Sequence, residues 1–155
     1  MKKWSDSIEI DAPIEHVWKL FDGSLEDMQK IMPNVIAHEP VSVTDDGVGS
    51  IYRQKFREGK RVEEYEVETF VYENQPDYKE MKVGFTLANT FRITAYYELQ
   101  KLGDHKTYFH YETTNQPLKW YFKILVKLAG SNKIVTQFMS RVKNAAEEEY
   151  KQANT

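Results

Sequence analysis

The chain of 155 residues suffices for one domain that buries about 70% of the surface its unfolded form exposes, so folding requires neither a disulfide nor a metal. It contains no cysteine, which removes disulfide scaffolds, cysteine zinc sites and thiol nucleophiles together. A net charge of −3, a pI near 5.8 and basic residues dispersed among acidic ones speak against phosphate-backbone binding, so no nucleic acid is expected as a partner.

Trp4-Ser5-Asp6-Ser7 follows Met1-Lys2-Lys3 where an export signal would carry an apolar run, which points to a cytoplasmic protein. From Trp4 to Asp11 apolar and polar residues alternate, with Trp4, Ile8 and Ile10 on one parity, and a first strand is expected. Asp11 is placed to cap a helix whose first turn holds Pro13 and Glu15. Ile14, Val17, Trp18 and Phe21 give that helix one apolar stripe, and Asp22-Gly23 ends it. Ser24 with Asp27 opens a second short helix that turns Leu25, Met28 and Ile31 inward before Pro33 stops it.

From Val35 to Asn115 the pattern is that of strands separated by Asp45-Asp46-Gly47, Glu58-Gly59, Gln75-Pro76-Asp77 and Gly103-Asp104, a meander of about six antiparallel strands. A two-residue turn at Glu58-Gly59 would pair Arg57 with Lys60, Arg53 with Glu64 and Tyr52 with Tyr65. One face then carries Tyr52, Gln54, Phe56, Arg61, Glu63, Tyr65, Val67 and Thr69, and is expected to be concave. In the last hairpin a three-residue loop through His105 pairs Leu99 with Phe109, Tyr97 with Tyr111 and Ala95 with Thr113. It turns Phe91, Ile93, Tyr97, Leu99, Phe109 and Tyr111 inward and leaves Arg92, Thr94, Tyr96, Tyr108, His110 and Glu112 outside.

After Pro117 the period is helical to about Gln152. Leu118, Tyr121, Leu125, Leu128, Val135, Met139, Val142 and Ala146 keep one phase, so one long helix is expected, kinked or briefly broken at Ala129-Gly130-Ser131. Lys119, Lys123 and Lys127 form a basic row through the otherwise apolar stretch from Trp120 to Ala129, and they interrupt it too often for a membrane span. That stretch is buried all round, or lines a pocket, or makes a peripheral contact with a membrane or partner.

The stretch Ile10-Asp11-Ala12-Pro13-Ile14-Glu15-His16-Val17-Trp18-Lys19-Leu20-Phe21 resembles the opening of many SRPBCC proteins, the superfamily of START domains, Bet v 1 relatives and polyketide cyclase/dehydrase-like proteins. The resemblance implies a single helix-grip domain over residues 1–155 of class α+β. A curved antiparallel sheet of about seven strands would wrap a long C-terminal helix, with two short helices after the first strand. It also implies an internal cavity for a small hydrophobic molecule such as a lipid or polyketide. Pockets of this kind measure roughly 300 to 1,000 Å³ and combine apolar walls with a few polar anchors.

Tyr52, Gln54, Phe56, Arg61, Glu63, Tyr65, Val67, Phe91, Tyr97, Phe109, Tyr111, Tyr121 and Leu125 are the candidate ligand-binding residues. The tyrosines among them either line the pocket or fill the core, and Arg61 can instead meet Glu63 or solvent at the rim. His16, His38, His105 and His110 show no metal-binding spacing, and no nucleophile elbow, phosphate loop or dinucleotide fingerprint is present. Neither a metal, a cofactor nor a catalytic residue is therefore assigned. A noncatalytic carrier or sensor is favoured over a cyclase/dehydrase-like enzyme, whose acid or base would have to be Arg61, Glu63 or a tyrosine. Outward Thr94, Tyr96 and Tyr108 allow a weak dimer beside a monomer.

Overall fold

A computed structural model describes residues 2–87, 91–118 and 132–154. The alternating start forms strand β1 (Lys2–Ile10), with Ile10 fully buried and Trp4 and Ile8 packed against the core. Helix α1 (Ile14–Asp22) follows, but Asp11 does not cap it. Pro13 takes the N-cap position in an extended conformation and accepts hydrogen bonds from the amides of His16 and Val17 through its carbonyl. A proline also drives the residue before it out of the helical region, so the helix starts too late for the Asp11 side chain to reach its free amides. The Asp11 amide instead donates to Glu147 Oε2 at 2.7 Å.

The Gly23 amide closes α1 on the Lys19 carbonyl at 2.9 Å. Ser24 then caps α2 (Leu25–Gln29), its hydroxyl accepting from the Asp27 amide at 3.1 Å. Six strands follow as an uninterrupted meander: β2 (Val35–Ser42), β3 (Ile51–Glu58), β4 (Arg61–Asn74), β5 (Tyr78–Leu87), β6 (Phe91–Gly103) and β7 (Lys106–Pro117). With β1 returning beside β7 the seven-stranded antiparallel sheet has the order β1-β7-β6-β5-β4-β3-β2. Helix α3 (Asn132–Ala153) completes the described chain, so the expectation of a kink near Gly130 lies outside the described residues.

Two hairpins refine the expected registers. In β3–β4, Tyr52 faces Val67, Gln54 faces Tyr65 and Glu58 faces Arg61, two residues away from the pairing that a Glu58-Gly59 loop would set. The loop is Gly59-Lys60. Two-residue hairpin loops that match the strand twist need a positive φ at their first position, and Gly59 provides it at 61°. A slip of two preserves parity, so Tyr52, Gln54, Tyr65 and Val67 still share a face. In β6–β7 the expected pairs Leu99–Phe109, Tyr97–Tyr111 and Ala95–Thr113 are present. They arise from an Asp104-His105 loop plus a bulge at Leu102, since Lys101 faces Thr107 while Gly103 faces Lys106.

The buried stripe of α3, Val135, Met139, Val142 and Ala146, packs into one core with Ile10, Val17, Leu20, Leu99 and Phe109. Charged groups hold the helices together around it. Glu149 accepts ion pairs from Lys19 and, at 3.3 Å, from Lys30, while Lys143 Nζ reaches the Glu9 carbonyl at 2.9 Å. Lys79 is buried, 2% exposed, and ties β5 to α1 through an ion pair with Glu15 at 2.9 Å above the Trp18 ring. Burial without that partner would be costly.

Candidate functional site

Residues from β2, β3, β4, β5, β6 and β7 surround one cavity of about 510 Å³, together with α1, α2 and Phe138 of α3. A flat sheet could not bring six strands to one hollow, so the sheet is bent around it. The walls are built by strand alternation: Tyr52, Gln54 and Phe56 from β3, Tyr65, Val67 and Thr69 from β4, Met81, Val83 and Phe85 from β5. Stacked rings line it, with Tyr65 on Phe85 at 4.6 Å and His38 on Tyr52 at 4.7 Å. At the end towards α3, Tyr97 stacks on Tyr111 at 5.5 Å and Tyr111 meets Phe138 at 4.8 Å.

One rung of the sheet links three of the wall's polar side chains. His38, Gln54 and Tyr65 are direct cross-strand neighbours on β2, β3 and β4. Gln54 Nε2 donates to the Tyr65 hydroxyl at 2.8 Å, and Gln54 Oε1 meets His38 Nδ1 at 2.8 Å. An amide oxygen only accepts, so the proton in that second bond belongs to His38 Nδ1. Burial lowers the His38 pKa below its ordinary value, more than the bond to Gln54 raises it, and the imidazole is neutral at pH 7. Burial raises the pKa of Tyr65, opposed by the Gln54 bond, and that of Tyr97 well above the usual phenol range.

The β2–β3 loop and the α1–α2 joint both border the cavity, and Tyr72 approaches each of them. Tyr72 donates to Asp22 Oδ2 at 2.6 Å, and burial together with that carboxylate pushes its pKa up to about 12. Gly47 makes the approach possible: its φ is 87°, and a Cβ there would stand 2.8 Å from the Tyr72 ring. Asp22, Asp45 and Asp46 all border the cavity, while no lysine or arginine does among the described residues.

Of the candidates read from the sequence, Tyr52, Gln54, Phe56, Tyr65, Val67, Tyr97 and Tyr111 line the cavity. Arg61, Glu63, Phe91 and Phe109 do not line it. Arg61 is exposed at the hairpin tip with its guanidinium on Glu63, because the cavity ends short of the last rungs of β3 and β4. Phe109 is fully buried against Phe21 in the packed core. Phe91 stands half-buried at the start of β6. Tyr121 and Leu125, with the whole stretch from Trp120 to Ala129, lie outside the described residues.

His38 and Tyr72 are absent from that reading for a common reason. A β-bulge between Val35 and Ala37 puts both Val35 and His38 on the cavity side, and another between Thr69 and Val71 does the same for Thr69 and Tyr72. Strict alternation sends His38 and Tyr72 to the other face. On the convex side, His110 Nε2 meets Glu112 at 3.1 Å and Ser7 meets His110 Nδ1 at 2.7 Å, a surface cluster away from the cavity. The Tyr96 hydroxyl donates to Glu80 at 2.5 Å, Tyr108 bonds Ser7, and Thr94 bonds Thr114. Among the described residues no group of three or more His, Asp or Glu is placed to hold a metal ion, and no helix is long and apolar enough to cross a membrane.

No protein-family model and no curated protein matches the sequence. Solved structures match over nearly the whole chain. Norcoclaurine synthase from Thalictrum flavum in complex with dopamine and hydroxybenzaldehyde aligns with a TM-score of 0.62 at 17% identity, over 95% of this chain and 87% of that one. Ara h 8.0201 aligns with a TM-score of 0.67 at 11% identity, over 97% and 98%. The di-domain ARO/CYC BexL from the BE-7585A biosynthetic pathway aligns with a TM-score of 0.68 at 10% identity, over 95% of this chain and 47% of that one. At such identities the likeness concerns the fold, and the fold is the Bet v 1-like helix grip that the N-terminal stretch resembles.

Proposed function

We propose that this protein binds a small hydrophobic molecule in the cavity between sheet and helices and holds it without a cofactor. The observation that carries the reading is the cavity itself: about 510 Å³, within the range of small-molecule sites, with aromatic rings, methionines and valines in its wall beside tyrosine hydroxyls and other polar groups. Affinity would come from apolar ligand surface removed from water, at roughly 25 cal/mol per Å². Native mass spectrometry of the protein purified from its own cells is expected to show a retained mass that disappears in Val67→Trp, whose indole occupies the hollow. Retention of that mass by a folded Val67→Trp protein would place the bound molecule elsewhere.

A second reading, chemistry on the bound molecule, has one specific support. Of the acid–base candidates of the sequence, Arg61 and Glu63 stand outside the cavity while tyrosines border it, and they are joined there by the His38 imidazole, which is neutral at pH 7. A catalyst would change the chromatographic retention or the mass of the retained molecule on long incubation at neutral pH, and His38→Phe would stop that change. A molecule unchanged in both with the native protein returns the assignment to carriage alone.

A further inference from the structure

Every exposed residue in the described wall of the cavity belongs to one of two segments: Asp22 and Gly23 in the α1–α2 joint, and Val43, Asp45 and Asp46 in the β2–β3 loop. The other described wall residues are buried or half-buried, so the described wall comes to the surface at these two segments. Tyr72 reaches both. Its hydroxyl donates to Asp22 Oδ2 at 2.6 Å, and its ring lies so close to Gly47 that a Cβ there would stand 2.8 Å from it. Tyr72 itself borders the cavity, half-buried, so one phenol meets the joint with its hydroxyl and the loop with its ring.

Each segment keeps its shape without the other. The joint is fixed by the Gly23 amide on the Lys19 carbonyl and by Ser24 at the cap of α2. The loop is fixed by the Thr44 hydroxyl on the Val48 carbonyl at 2.7 Å, the Thr44 amide on Ser50 Oγ at 3.0 Å and the Gly49 amide on the Thr69 carbonyl of β4 at 2.8 Å. Among the described residues no hydrogen bond runs directly from joint to loop. Asn74 also bonds the Tyr72 hydroxyl, but it stands on β4 with Tyr72 and ties it to neither segment. Joint and loop therefore part once Tyr72 leaves Asp22, with no need for either to unfold. Asp22 is exposed, so water takes the place of the phenol and the cost of release is modest.

Resting on the reading of the cavity as a ligand site, we propose that guests enter and leave between the α1–α2 joint and the β2–β3 loop, and that the Tyr72–Asp22 hydrogen bond is a clasp that sets the rate of this exchange. The clasp is closed in the empty protein and closes again behind a guest. Its release precedes both entry and departure, so loosening it raises the two rates by the same factor and leaves their ratio, the affinity, almost unchanged.

Stopped-flow fluorescence of the full chain with N-phenyl-1-naphthylamine, a neutral probe that brightens in apolar surroundings, tests the proposal. Tyr72→Phe keeps the ring against Gly47 and Trp18 and removes only the hydroxyl, and Asp22→Ala removes the acceptor from the other side. Each should raise association and dissociation rates together by about fivefold, with Kd within about twofold of the native value. The route has its own test, because the chain has no cysteine and a single introduced thiol can be labelled alone. Asp45→Cys carrying a bulky maleimide polymer should slow both rates by about tenfold, whereas the same label on Lys60→Cys in the β3–β4 loop should leave them as in the native protein. This arm serves if neither clasp variant folds. Unchanged rates in folded clasp variants, a faster dissociation matched by an equal loss of affinity, or an Asp45 conjugate that exchanges no more slowly than the Lys60 conjugate would each overturn the proposal while probe binding keeps the cavity reading standing. No binding of the probe by the native protein removes both.

Discussion

The two ends of the sheet treat the same kind of side chain differently. Where β1, β7 and β6 meet α1 and α3, aromatic and aliphatic groups are buried against each other, among them Ile10, Leu20, Leu99, Phe109, Met139 and Val142. Where β2, β3 and β4 turn away, rings of similar size stand around 510 Å³ of space. The contrast follows from what lies opposite. α3 covers the first region along its buried stripe, and its charges clamp it to α1, α2 and β1. Over β3 and β4 the described helices contribute little beyond Met28, Phe21 and Phe138 at the border. A filled region thus stabilises the fold, while the hollow one keeps space that the described side chains do not fill.

The largest effect that sharpens this contrast is expected in the filled region. Leu99→Ala should cost about 2–5 kcal/mol in urea unfolding, because a fully enclosed site collapses poorly around the deleted atoms. Affinity for a neutral apolar probe should change much less. A cost below about 1 kcal/mol would mean that this region is loosely packed and the contrast is lost.

Enlargement is expected to separate the two regions in the opposite sense. Ala146→Leu adds volume to a packed contact and should cost about 1–3 kcal/mol, whereas Val67→Phe grows into open space and should stay within about 1 kcal/mol of the native protein while weakening probe binding. Similar melting temperatures for the two variants would break the comparison.

Titration gives smaller and region-specific effects. In the hollow region His38 has a pKa lowered by burial, so the unfolded chain binds more protons than the native one below pH 6.5. Stability associated with His38 is complete above that pH and declines as pH falls from it towards the lowered folded pKa. The slope is at most about 1.4 kcal/mol per pH unit. His38→Phe should flatten that part of the curve. In the filled region, burial tends to raise the Glu149 pKa, but hydrogen bonds and charge from Lys19 and Lys30 outweigh it and the net shift is downward. That contribution is present above the ordinary glutamate pKa and is lost as pH falls through the lowered value. Glu149→Gln should therefore matter at neutral pH by about 0.5–1 kcal/mol and vanish in acid, a difference that chemical denaturation at two pH values resolves.

Local signals were sufficient wherever one residue decides one feature. Ser24 caps α2, Gly23 ends α1, and the stripe of α3 is buried at the positions its period marks. The inward faces of β3, β4, β6 and β7 were also legible, because a hairpin of either sensible loop keeps parity unless it slips by one. The Gly59-Lys60 loop illustrates this: the register moved by two and no side chain changed face. The cap at Asp11 was misread because Pro13 governs its own backbone and that of Ala12.

Sequence alone determined the order of elements, the antiparallel meander and seven of the residues that border the cavity, since these depend on periodicity and turn chemistry within short stretches. Only the tertiary structure decided where the space between sheet and helices stays open, which excluded Phe109 and Arg61 and admitted His38 and Tyr72. Two bulges reverse the alternation in β2 and β4, and a bulge is an adjustment of one strand to its neighbour. The pairing of His38, Gln54 and Tyr65 on one rung has the same origin, because residues 38, 54 and 65 become neighbours only when three strands are laid side by side.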